Sequence, residues 1–514
     1  MSPEEHHKPN AALSGRSAGE FDAGSKQAVE DLIGRRHGAP QSLLQPWRDI
    51  LAADPATREF IALSDCDHYD DFAVKLAECA GRQAIDDSLF LAGLRHLLVP
   101  DAVFERFLAH LRRFLLEDEG VVVPLAVATA VAAALAVYCH YTGYVFDLTD
   151  AERKAAHALR LQVENADELA SHRHRICVLA CYEPIDSHLR AHEIVAIFGE
   201  DPVLGFMTTE LVVKPKTEAR IAASVEPLAD IEDESSRRIQ RQYVEFPYPR
   251  WRAVEVDMTP VSRYVAEVRR TDLDILVAGC GTGLEALCYR IAFPSARILA
   301  VDLSQASLAY AIRQTAEYGP HGITFRQADI LQLPGLLDRK FDIVSSSGVL
   351  HHMKDPEQGF DALRTLVKPG GSMFLCLYSA LGRRHLVKAQ QAVAAHAYPG
   401  TAEGVRAFRS DCTGLLAEED LAGIRRTSDF FTMAHCHDLL FNAIEHRFDV
   451  PRLKALLERG GVDFAGFAVG EAVRQRYAEM FPGDPDARDL DNWERFEVAY
   501  PDTFFEMYKF ICRA

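Results

Sequence analysis

The sequence lacks several features that would assign it at once to a class of protein. Its eleven cysteines include no Cys-x-x-Cys pair, which argues against a disulfide framework and favours a reducing compartment. The opening stretch, MSPEEHHKPNAALSGRSAGEF, has neither the cationic region nor the apolar core of a signal peptide. Basic residues are outnumbered, 56 against 75 acidic ones, and the formal net charge of −19 argues against a nucleic-acid partner. We therefore expect a cytoplasmic protein.

One uncharged stretch is long enough to span a membrane, from Val121 to Cys139. Seven of its residues are alanine, Pro124 and Thr129 interrupt it, and no positive cluster flanks either end. We expect a buried helix here and no association with a membrane.

The pattern of apolar residues changes along the chain and predicts two domains. Apolar residues at helical spacing dominate the first half, and short buried runs alternate with helical stretches in the second half. Such alternation is typical of an α/β domain with a parallel sheet. The predicted parts are a disordered tail (1–26), a helical domain (27–237), a linker or lid (238–260) and an α/β domain (261–514) with a helical insertion at about 380–449.

A glycine-rich loop follows the first predicted strand of the α/β domain. Gly279, Gly281 and Gly283 let the backbone turn tightly and approach a ligand. A dinucleotide-binding loop would need a third glycine where Leu284 stands. Asp302, at the end of the second strand, can accept hydrogen bonds from both hydroxyls of a ribose. The loop and the acid together indicate an adenosine ligand.

Two further motifs follow the third and fourth strands: Ala328-Asp329-Ile330, and Gly-Val-Leu-His-His at 348–352. With the glycine loop and Asp302, they resemble the ordered signature motifs of class I S-adenosylmethionine-dependent methyltransferases. Four longer stretches resemble a bacterial methyltransferase family often described as tetratricopeptide-containing, although no such repeat is visible. They are GYVFDLTDAE (143–152), QYVEFPYPRW (242–251), DLLFNAIEHRF (438–448) and DNWERFEVAYPDTFFEMYKF (491–510).

The resemblance implies a fold and a cofactor site. The expected fold is a Rossmann-like domain with a seven-stranded mixed sheet, its last strand antiparallel, preceded by a mainly α-helical domain. Asp302 would hold the ribose and Asp329 the adenine amino group. The complete set of implied contacts to S-adenosylmethionine is Gly279, Cys280, Gly281, Gly283, Asp302, Leu303, Asp329, Ile330, Ser346 and Gly348.

The stretch QYVEFPYPRW precedes the first strand, where this superfamily commonly covers its cofactor. Its two prolines favour an extended backbone. We expect Tyr243 and Arg250 to contact the cofactor, and Tyr248 and Trp251 to contact the acceptor. The alternative is a domain linker whose rings cap the edge of a core.

Histidines supply the candidates for acceptor chemistry. His351 and His352 are candidate general bases, and the alternative is that they only shape the cofactor pocket. His437, Asp438 and His446 are expected to line the acceptor chamber. A metal site in this region is disfavoured, because adjacent residues of one helix point to different faces.

The function that the sequence favours is methyl transfer from S-adenosylmethionine to a bulky acceptor, either a peptide or protein, or a sizeable metabolite. Two alternatives stay open: a non-catalytic module that binds the cofactor, and a nicotinamide-dependent oxidoreductase. The assembly also stays open, a homodimer included.

Overall fold

The computed structural model describes residues 22–35, 40–79, 85–118, 120–188, 190–245, 247–254, 272–319, 322–442, 444–505 and 507–514. Within these ranges the chain forms an α-helical body and an α/β domain built on one sheet. The strands are β1 (Asp274–Ala278), β2 (Arg297–Asp302), β3 (Ile323–Gln327), β4 (Phe341–Ser347), β5 (Val367–Leu377), β6 (Asp463–Phe467) and β7 (Tyr508–Arg513).

The sheet has the order β3-β2-β1-β4-β5-β7-β6. The first five strands pair in parallel, and β7 runs antiparallel to both β5 and β6. The seven-stranded mixed sheet with an antiparallel last strand is therefore confirmed. Four of the five β1 residues are buried, as expected of a central strand covered by helices on both faces.

Helices make up the rest of the regular structure. The N-terminal helices are α1 (Ala23–Ile33), α2 (Leu44–Ala53), α3 (Arg58–Ile61), α4 (Tyr69–Glu78), α5 (Ser88–His96), α6 (Ala102–Glu117), α7 (Leu125–Tyr141), α8 (Asp150–Glu164), α9 (Arg173–Leu179), α10 (Ala191–Phe198), α11 (Gly205–Thr208), α12 (Lys214–Ala222) and α13 (Glu234–Glu245). A π-helix, Thr209–Val213, joins α11 to α12.

Within the described ranges, eleven more helices follow β1. They are α14 (Leu284–Ala292), α15 (Gln305–Ala316), α16 (Leu333–Leu336), α17 (Pro356–Thr365), α18 (Arg384–Ala395), α19 (Ala402–Leu415), α20 (Glu418–Arg425), α21 (Met433–Phe441), α22 (Val450–Gly460), α23 (Glu471–Met480) and α24 (Leu490–Ala499). Short 3-10 turns occur at Pro40–Leu43, Ala62–Asp65, Leu169–His172, Ile330–Gln332, Leu350–His352 and Ser428–Phe431.

The long uncharged stretch forms α7, whose residues Val131–Cys139 are buried without interruption. Across the described residues, no helix combines the length and the apolar character needed to cross a membrane.

The predicted boundaries need two corrections. Helix α1 begins at Ala23, because the Asp22 carboxylate accepts hydrogen bonds from the amides of Gly24 and Ser25 at its first turn. The predicted tail therefore ends earlier than residue 26, and residues 1–21 lie outside the described ranges. Helix α13 extends to Glu245, so the predicted linker is helical at its start. The remainder of that linker beyond residue 254 also lies outside the described ranges.

The insertion and the N-terminal helices share one hydrophobic core. Residues from α1 to the π-helix and residues of α18 to α21 belong to a single cluster of buried side chains. Arg409 of α19 joins the two parts further, because its guanidinium pairs with Glu105 of α6 at 2.8 Å. The insertion is thus a continuation of the helical body, completed by chain that follows β5.

The insertion leaves and re-enters the α/β domain at one point. Ser379, two residues after β5, forms a bridge with Phe448, and the Ala380 amide donates to the Phe448 carbonyl at 2.7 Å. Side chains and loops of the insertion then contact the carboxyl end of the sheet. The backbone carbonyl of Ile444, for example, lies 2.8 Å from Nδ1 of His352, just beyond β4.

Candidate active site

A cavity of about 1080 Å³ lies at the carboxyl ends of β1 to β4. Its walls come from the glycine loop, from the loops after β2, β3 and β4, from α13 and from Tyr248 and Pro249. Open α/β sheets bind their ligands at this edge, because the connecting loops diverge there and leave a crevice.

Asp302 braces the glycine loop from the end of β2. Its Oδ2 accepts a hydrogen bond from the Gly281 amide at 2.8 Å, and its Oδ1 accepts one from the Ser304 amide at 2.8 Å. Burial raises the pKa of the carboxyl, and the N–H groups of Ser304, Gly281 and Leu303 offset part of that shift. A half-buried carboxylate remains in the cavity wall, and each oxygen has a further lone pair for a hydroxyl donor.

Asp329 forms the floor of the cavity beyond β3. Its Oδ1 caps the following 3-10 turn by accepting from the Leu331 amide at 3.0 Å. The residue is 2% exposed, and its carboxylate lines the cavity. A buried acceptor of this kind fits an exocyclic amino group of a purine.

Behind the cavity wall a hydrogen-bonded network joins α13 to the insertion. The Tyr243 hydroxyl donates to Oδ1 of Asp438 at 2.8 Å, and the side chain of Asn442 donates to the same oxygen at 2.9 Å. Nδ2 of Asn442 also lies 3.5 Å from Nε2 of His352. Tyr243 and His352 line the cavity, and Asp438 and Asn442 hold them from behind.

The hydrogen bonds of His352 fix its tautomer when the ring is neutral. Its Nδ1 faces the carbonyl of Ile444 at 2.8 Å, and a carbonyl can only accept. Nδ1 therefore carries the proton and Nε2 carries the lone pair. An imidazole oriented in this way can accept a proton at Nε2.

A comparison with known protein families identifies the domain that contains this cavity. Residues 276–375, which run from β1 into β5, match the family described as a methyltransferase domain. The match covers the glycine loop, both acids and the loop after β4, on a seven-stranded sheet whose last strand is antiparallel, as expected. Residues 276–375 of this chain form a methyltransferase domain.

Relatives of the methyltransferase domain carry several names. An uncharacterized protein of Synechococcus sp. is 30% identical over 254 residues, which cover 46% of this chain and 59% of that protein. The ubiquinone biosynthesis O-methyltransferase of Azotobacter vinelandii is 30% identical over 143 residues, which cover 26% of this chain and 60% of that protein. The chain thus spans 59% and 60% of the lengths of these curated relatives.

Among solved structures the likeness is distant. PKMT2 from Rickettsia typhi, in complex with AdoHcy, is 14% identical with a TM-score of 0.37, over 47% of this chain and 48% of that one. The magnesium protoporphyrin IX methyltransferase from Synechocystis with bound SAH is 14% identical with a TM-score of 0.29, over 63% and 99%.

Most of the residues predicted to hold the cofactor lie in the wall of the methyltransferase cavity. They are Gly279, Cys280, Gly281, Asp302, Leu303, Asp329, Ile330, Gly348 and Tyr243. The predicted acceptor residues Tyr248 and His446 and the candidate base His352 lie in the same wall.

Two predicted cofactor residues of the methyltransferase domain, Gly283 and Ser346, are not among the residues that line the cavity. Gly283 adopts φ +83° at the start of α14, and a Cβ there would come within 2.7 Å of the Cβ of Ala311. It lets α14 pack closely against α15. Ser346 points away from the cavity and is fully buried, because side chains alternate along β4 and its neighbour Ser347 faces the cavity.

Some predicted acceptor residues also lie elsewhere. His351 is fully buried, and its ring stacks on Tyr378 with centroids 3.6 Å apart. Burial and the neighbouring His352 and Arg383 lower the pKa of His351 well below its usual value, so the ring is neutral. His437 stacks on Phe441 in α21, outside the cavity wall. Asp438 reaches the cavity only through the residues that it holds.

The stretch predicted to be extended is divided in the structure. Its first four residues end α13, because a proline disfavours helix only at the residue directly before it. Phe246 lies outside the described residues. Tyr248 and Pro249 face the cofactor cavity, whereas Arg250 and Trp251 face a second cavity behind them. Arg250 is therefore not placed to meet the cofactor.

Trp251 anchors this stretch to the methyltransferase domain. It is 6% exposed and packs in a small cluster with Leu287 and Tyr310. Its indole N–H donates to the carbonyl of Thr282 in the glycine loop at 2.9 Å. The Tyr310 hydroxyl in turn donates to the Trp251 carbonyl at 2.5 Å. The Trp251 ring therefore fits the alternative given for this stretch, in which its rings cap the edge of a core.

The sequence interpretation missed Glu285, in the first turn of α14. Its side chain lines the cavity and accepts a hydrogen bond from the Ser345 hydroxyl. Burial raises its pKa from 4.5 to about 7, and the Ser345 hydrogen bond offsets part of the effect. Its position two residues after the last glycine of the loop could have identified it as a wall residue.

Asp233 and Ser236, at the start of α13, were also missed as wall residues. Asp233 caps that helix by accepting from the Ser236 amide at 2.8 Å. A capping aspartate three residues before a serine was a visible helix-start signal. Among the described side chains, no three His, Cys, Asp or Glu residues converge in a way that could hold a metal ion.

Proposed function

We propose that this chain binds S-adenosylmethionine along the carboxyl edge of β1 to β3 and methylates a bulky acceptor, either a peptide or a sizeable metabolite. The observation that carries the proposal is the pair of wall carboxylates, Asp302 and Asp329, flanking a glycine loop in one cavity. These groups fit a ribose and an adenine amino group, since both offer acceptors to ligand donors.

The size of the cavity supports a second ligand beside the cofactor. Its volume of about 1080 Å³ exceeds the roughly 300–1,000 Å³ typical of small-molecule sites. The wall includes His352, His446 and Met507 in addition to Asp302 and Asp329. We assign the part of the cavity beside His352, His446 and Met507 to the acceptor.

The residues of the chain have three tasks in the reaction. When bound, S-adenosylmethionine supplies an electrophilic methyl group for in-line displacement. Asp302 orients the ribose and keeps the glycine loop in place, so the donor is held in one position. Tyr243, fixed by Asp438, closes the cavity on the side of α13. His352 can take a proton at Nε2 from an acceptor that is an alcohol or phenol.

Calorimetric titration with S-adenosylmethionine and S-adenosylhomocysteine tests the cofactor site. The Asp302→Ala variant loses a charge-assisted hydrogen bond, so it should bind both ligands roughly ten- to a hundred-fold more weakly than the wild type. Asp463→Ala removes an exposed carboxylate at the start of β6 and should bind like the wild type. Equal affinity in both variants would remove Asp302 from the site.

Incubation with fractions of small molecules and of peptides then tests the acceptor class. We expect a product heavier by one CH₂ that depends on the cofactor. Its absence with intact cofactor binding would favour a non-catalytic module. A cytoplasmic location and assembly as a homodimer stay predictions.

A further inference from the structure

A second cavity of about 930 Å³ lies behind the stretch Pro247–Trp251. Its wall includes the end of α7 with the turn after it, the loop at 182–187, and the insertion at 402–406 and 428–435. The cavity is thus bounded on one side by the wall of the cofactor site, and Leu284 lines both cavities.

Three buried polar atoms on residues lining this second cavity have no hydrogen-bond partner within the described chain. They are Nδ1 of His140, the hydroxyl of Tyr144 and Oγ1 of Thr432. Tyr144 is 9% exposed and Thr432 is 6% exposed. Most buried polar groups in folded proteins are paired, so three unpaired ones around one cavity indicate a ligand that supplies their partners.

The backbone at Tyr144 supports the same conclusion. Tyr144 has φ +58°, in the left-handed region that side chains other than glycine seldom occupy. The Tyr144 amide donates to the Cys139 carbonyl at 2.7 Å, and the Tyr144 carbonyl accepts from Nε of Arg406 at 2.9 Å. Strained residues persist where the surrounding structure holds them, and they are concentrated at ligand sites.

The charged groups around the cavity favour an anion. Arg250 and Arg406 line it, and neither guanidinium forms an ion pair within the residues that the structure describes. Asp186 is an acid in the wall without an ion pair there, and Glu183 already accepts from Arg160. His140 is neutral, because burial and the nearby Arg250 and Arg252 lower its pKa. Arg252 also lines the cavity, so three guanidinium groups without an ion pair in the described residues face one such carboxylate, which leaves an excess of positive charge.

The rest of the wall is aromatic. Tyr138, Tyr182 and His435 line the cavity beside the polar groups. Aromatic side chains present large flat apolar surfaces and favour a ring stacked or set edge-on against them.

We propose that this second cavity is a binding site for a small aromatic molecule bearing a carboxylate or phosphate group. Arg250 and Arg406 bind the anion, and Tyr144 and Thr432 donate hydrogen bonds to it. The ligand is separate from the methyl acceptor, because Tyr248 and Pro249 lie between this cavity and the cofactor site.

Occupancy of the second cavity should also change the affinity for the cofactor. Arg250 and Trp251 face the second cavity, and Trp251 is hydrogen-bonded to Thr282 of the glycine loop. The Tyr248 carbonyl oxygen packs closely against Gly281, since a Cβ added at Gly281 would lie 2.7 Å from it. An anion that orders Arg250 therefore orders a stretch that touches the cofactor loop.

Titration of the full chain with phenyl phosphate, 4-hydroxybenzoate, inorganic phosphate and uncharged phenol tests the site. We expect one or both aromatic anions to bind at least about tenfold more tightly than phenol, and the better of the two identifies the anionic group. Equal binding of inorganic phosphate would overturn the aromatic part of the proposal. No binding of either aromatic anion at millimolar concentration, or methylation of the bound anion, would overturn the site itself.

Variants separate binding from folding. Arg250→Gln should weaken binding of the aromatic anion by roughly ten- to a hundred-fold, whereas the exposed Arg58→Gln should not. Tyr144→Phe should weaken it without lowering the melting temperature, because the hydroxyl removed has no partner in the protein. Unchanged affinity in both Arg250→Gln and Tyr144→Phe would contradict the assignment.

Titration of the cofactor with and without the aromatic anion tests the coupling. We expect its Kd to change by about threefold or more in the wild type and to stay constant in Arg250→Gln. The same Kd with and without anion in the wild type would refute the coupling. Cofactor binding in the anion-free sample is measured in the same experiment, so failure of the cofactor site is distinguishable.

Discussion

The Glu285 carboxyl makes stability depend on pH in a direction opposite to that of most acids. Its pKa is raised from 4.5 to about 7 by burial, so the native state keeps its proton where the unfolded chain releases it. The contribution to stability is fully present below pH 4.5 and is lost as the pH rises to about 7. The shift corresponds to roughly 3 kcal/mol.

Glu285→Gln should remove this part of the pH dependence. Urea unfolding of the ligand-free protein between pH 4.5 and 8 should show the variant gaining stability over the wild type as the pH rises. Glu479→Gln, exposed on α23, should follow the wild-type curve. Parallel curves for Glu285→Gln and the wild type would show that the carboxyl ionises normally.

Neighbouring residues show what the sequence could and could not predict about the site. Asp302 and Asp329 were predictable, because each follows a strand at the edge where parallel strands end together. The sequence could not predict which of Ser346 and Ser347, or which of His351 and His352, faces the cavity. A shift of one residue in a strand or a short turn reverses the direction of the side chain, and motif position is not accurate to one residue.

At the scale of an element, the stretch Pro247–Trp251 combines two kinds of ring. Trp251 is buried in a cluster and Tyr248 is half-buried in the cofactor cavity. Trp251→Ala should cost about 3–5 kcal/mol of stability, because it leaves a cavity beside Leu287 and Tyr310. Thermal unfolding of the ligand-free variant measures this loss.

Tyr248→Ala should instead lower cofactor affinity or turnover, with a melting temperature close to that of the wild type. Tyr500→Ala, on the surface after α24, is the matched control and should change neither quantity. A large fall in melting temperature with normal cofactor binding would make Tyr248 a structural cap as well.

The partners of this stretch were beyond sequence interpretation. Tyr243 donates to Asp438, 195 residues further along the chain. Local patterns predict elements, but a contact between distant segments has no local signature. The run LVVKP (211–215) is rich in β-branched residues, which favour a strand, but it forms the end of a π-helix and the start of α12. Burial among the surrounding helices overrides its β-branched residues.

At the scale of the whole molecule, the helical body depends on a pair of charges from distant parts of the chain. Arg409 is 7% and Glu105 is 19% exposed at the side chain. Arg409→Met leaves Glu105 partly buried without its partner and should destabilise the protein by roughly 3 kcal/mol or more. Hydrogen exchange should show faster opening of α6, about 300 residues earlier in the chain.

Arg426→Met is the control for that experiment. Arg426 pairs with Asp502 at the surface, where the side chains are 50% and 47% exposed. Exposed pairs contribute at most about 1 kcal/mol, so exchange in α6 should stay at the wild-type rate. Equal effects of the two variants would mean that the pair with Glu105 does not join the two parts.

The fold of the α/β half was predictable because its strands and helices alternate in order along the chain. The insertion was predictable as a helical interval too long for a connection. The sequence could not predict that the insertion packs into one core with the N-terminal helices. A helix shows one apolar face whether it packs on a near neighbour or on a distant one.

The shared core also sets an order of events during synthesis. Val212 is the last residue that the N-terminal half contributes to the shared core. The N-terminal helices nevertheless cannot bury their common apolar face until α21 has been synthesised. About 230 residues lie between Val212 and the end of α21, and their synthesis takes roughly 10–50 s at a rate of about 5–20 residues per second. During that interval the nascent helical half presents an apolar surface, while only strands β1 to β5 of the sheet are synthesised. This protein should therefore depend on chaperones at the ribosome more than a chain whose domains fold in sequence.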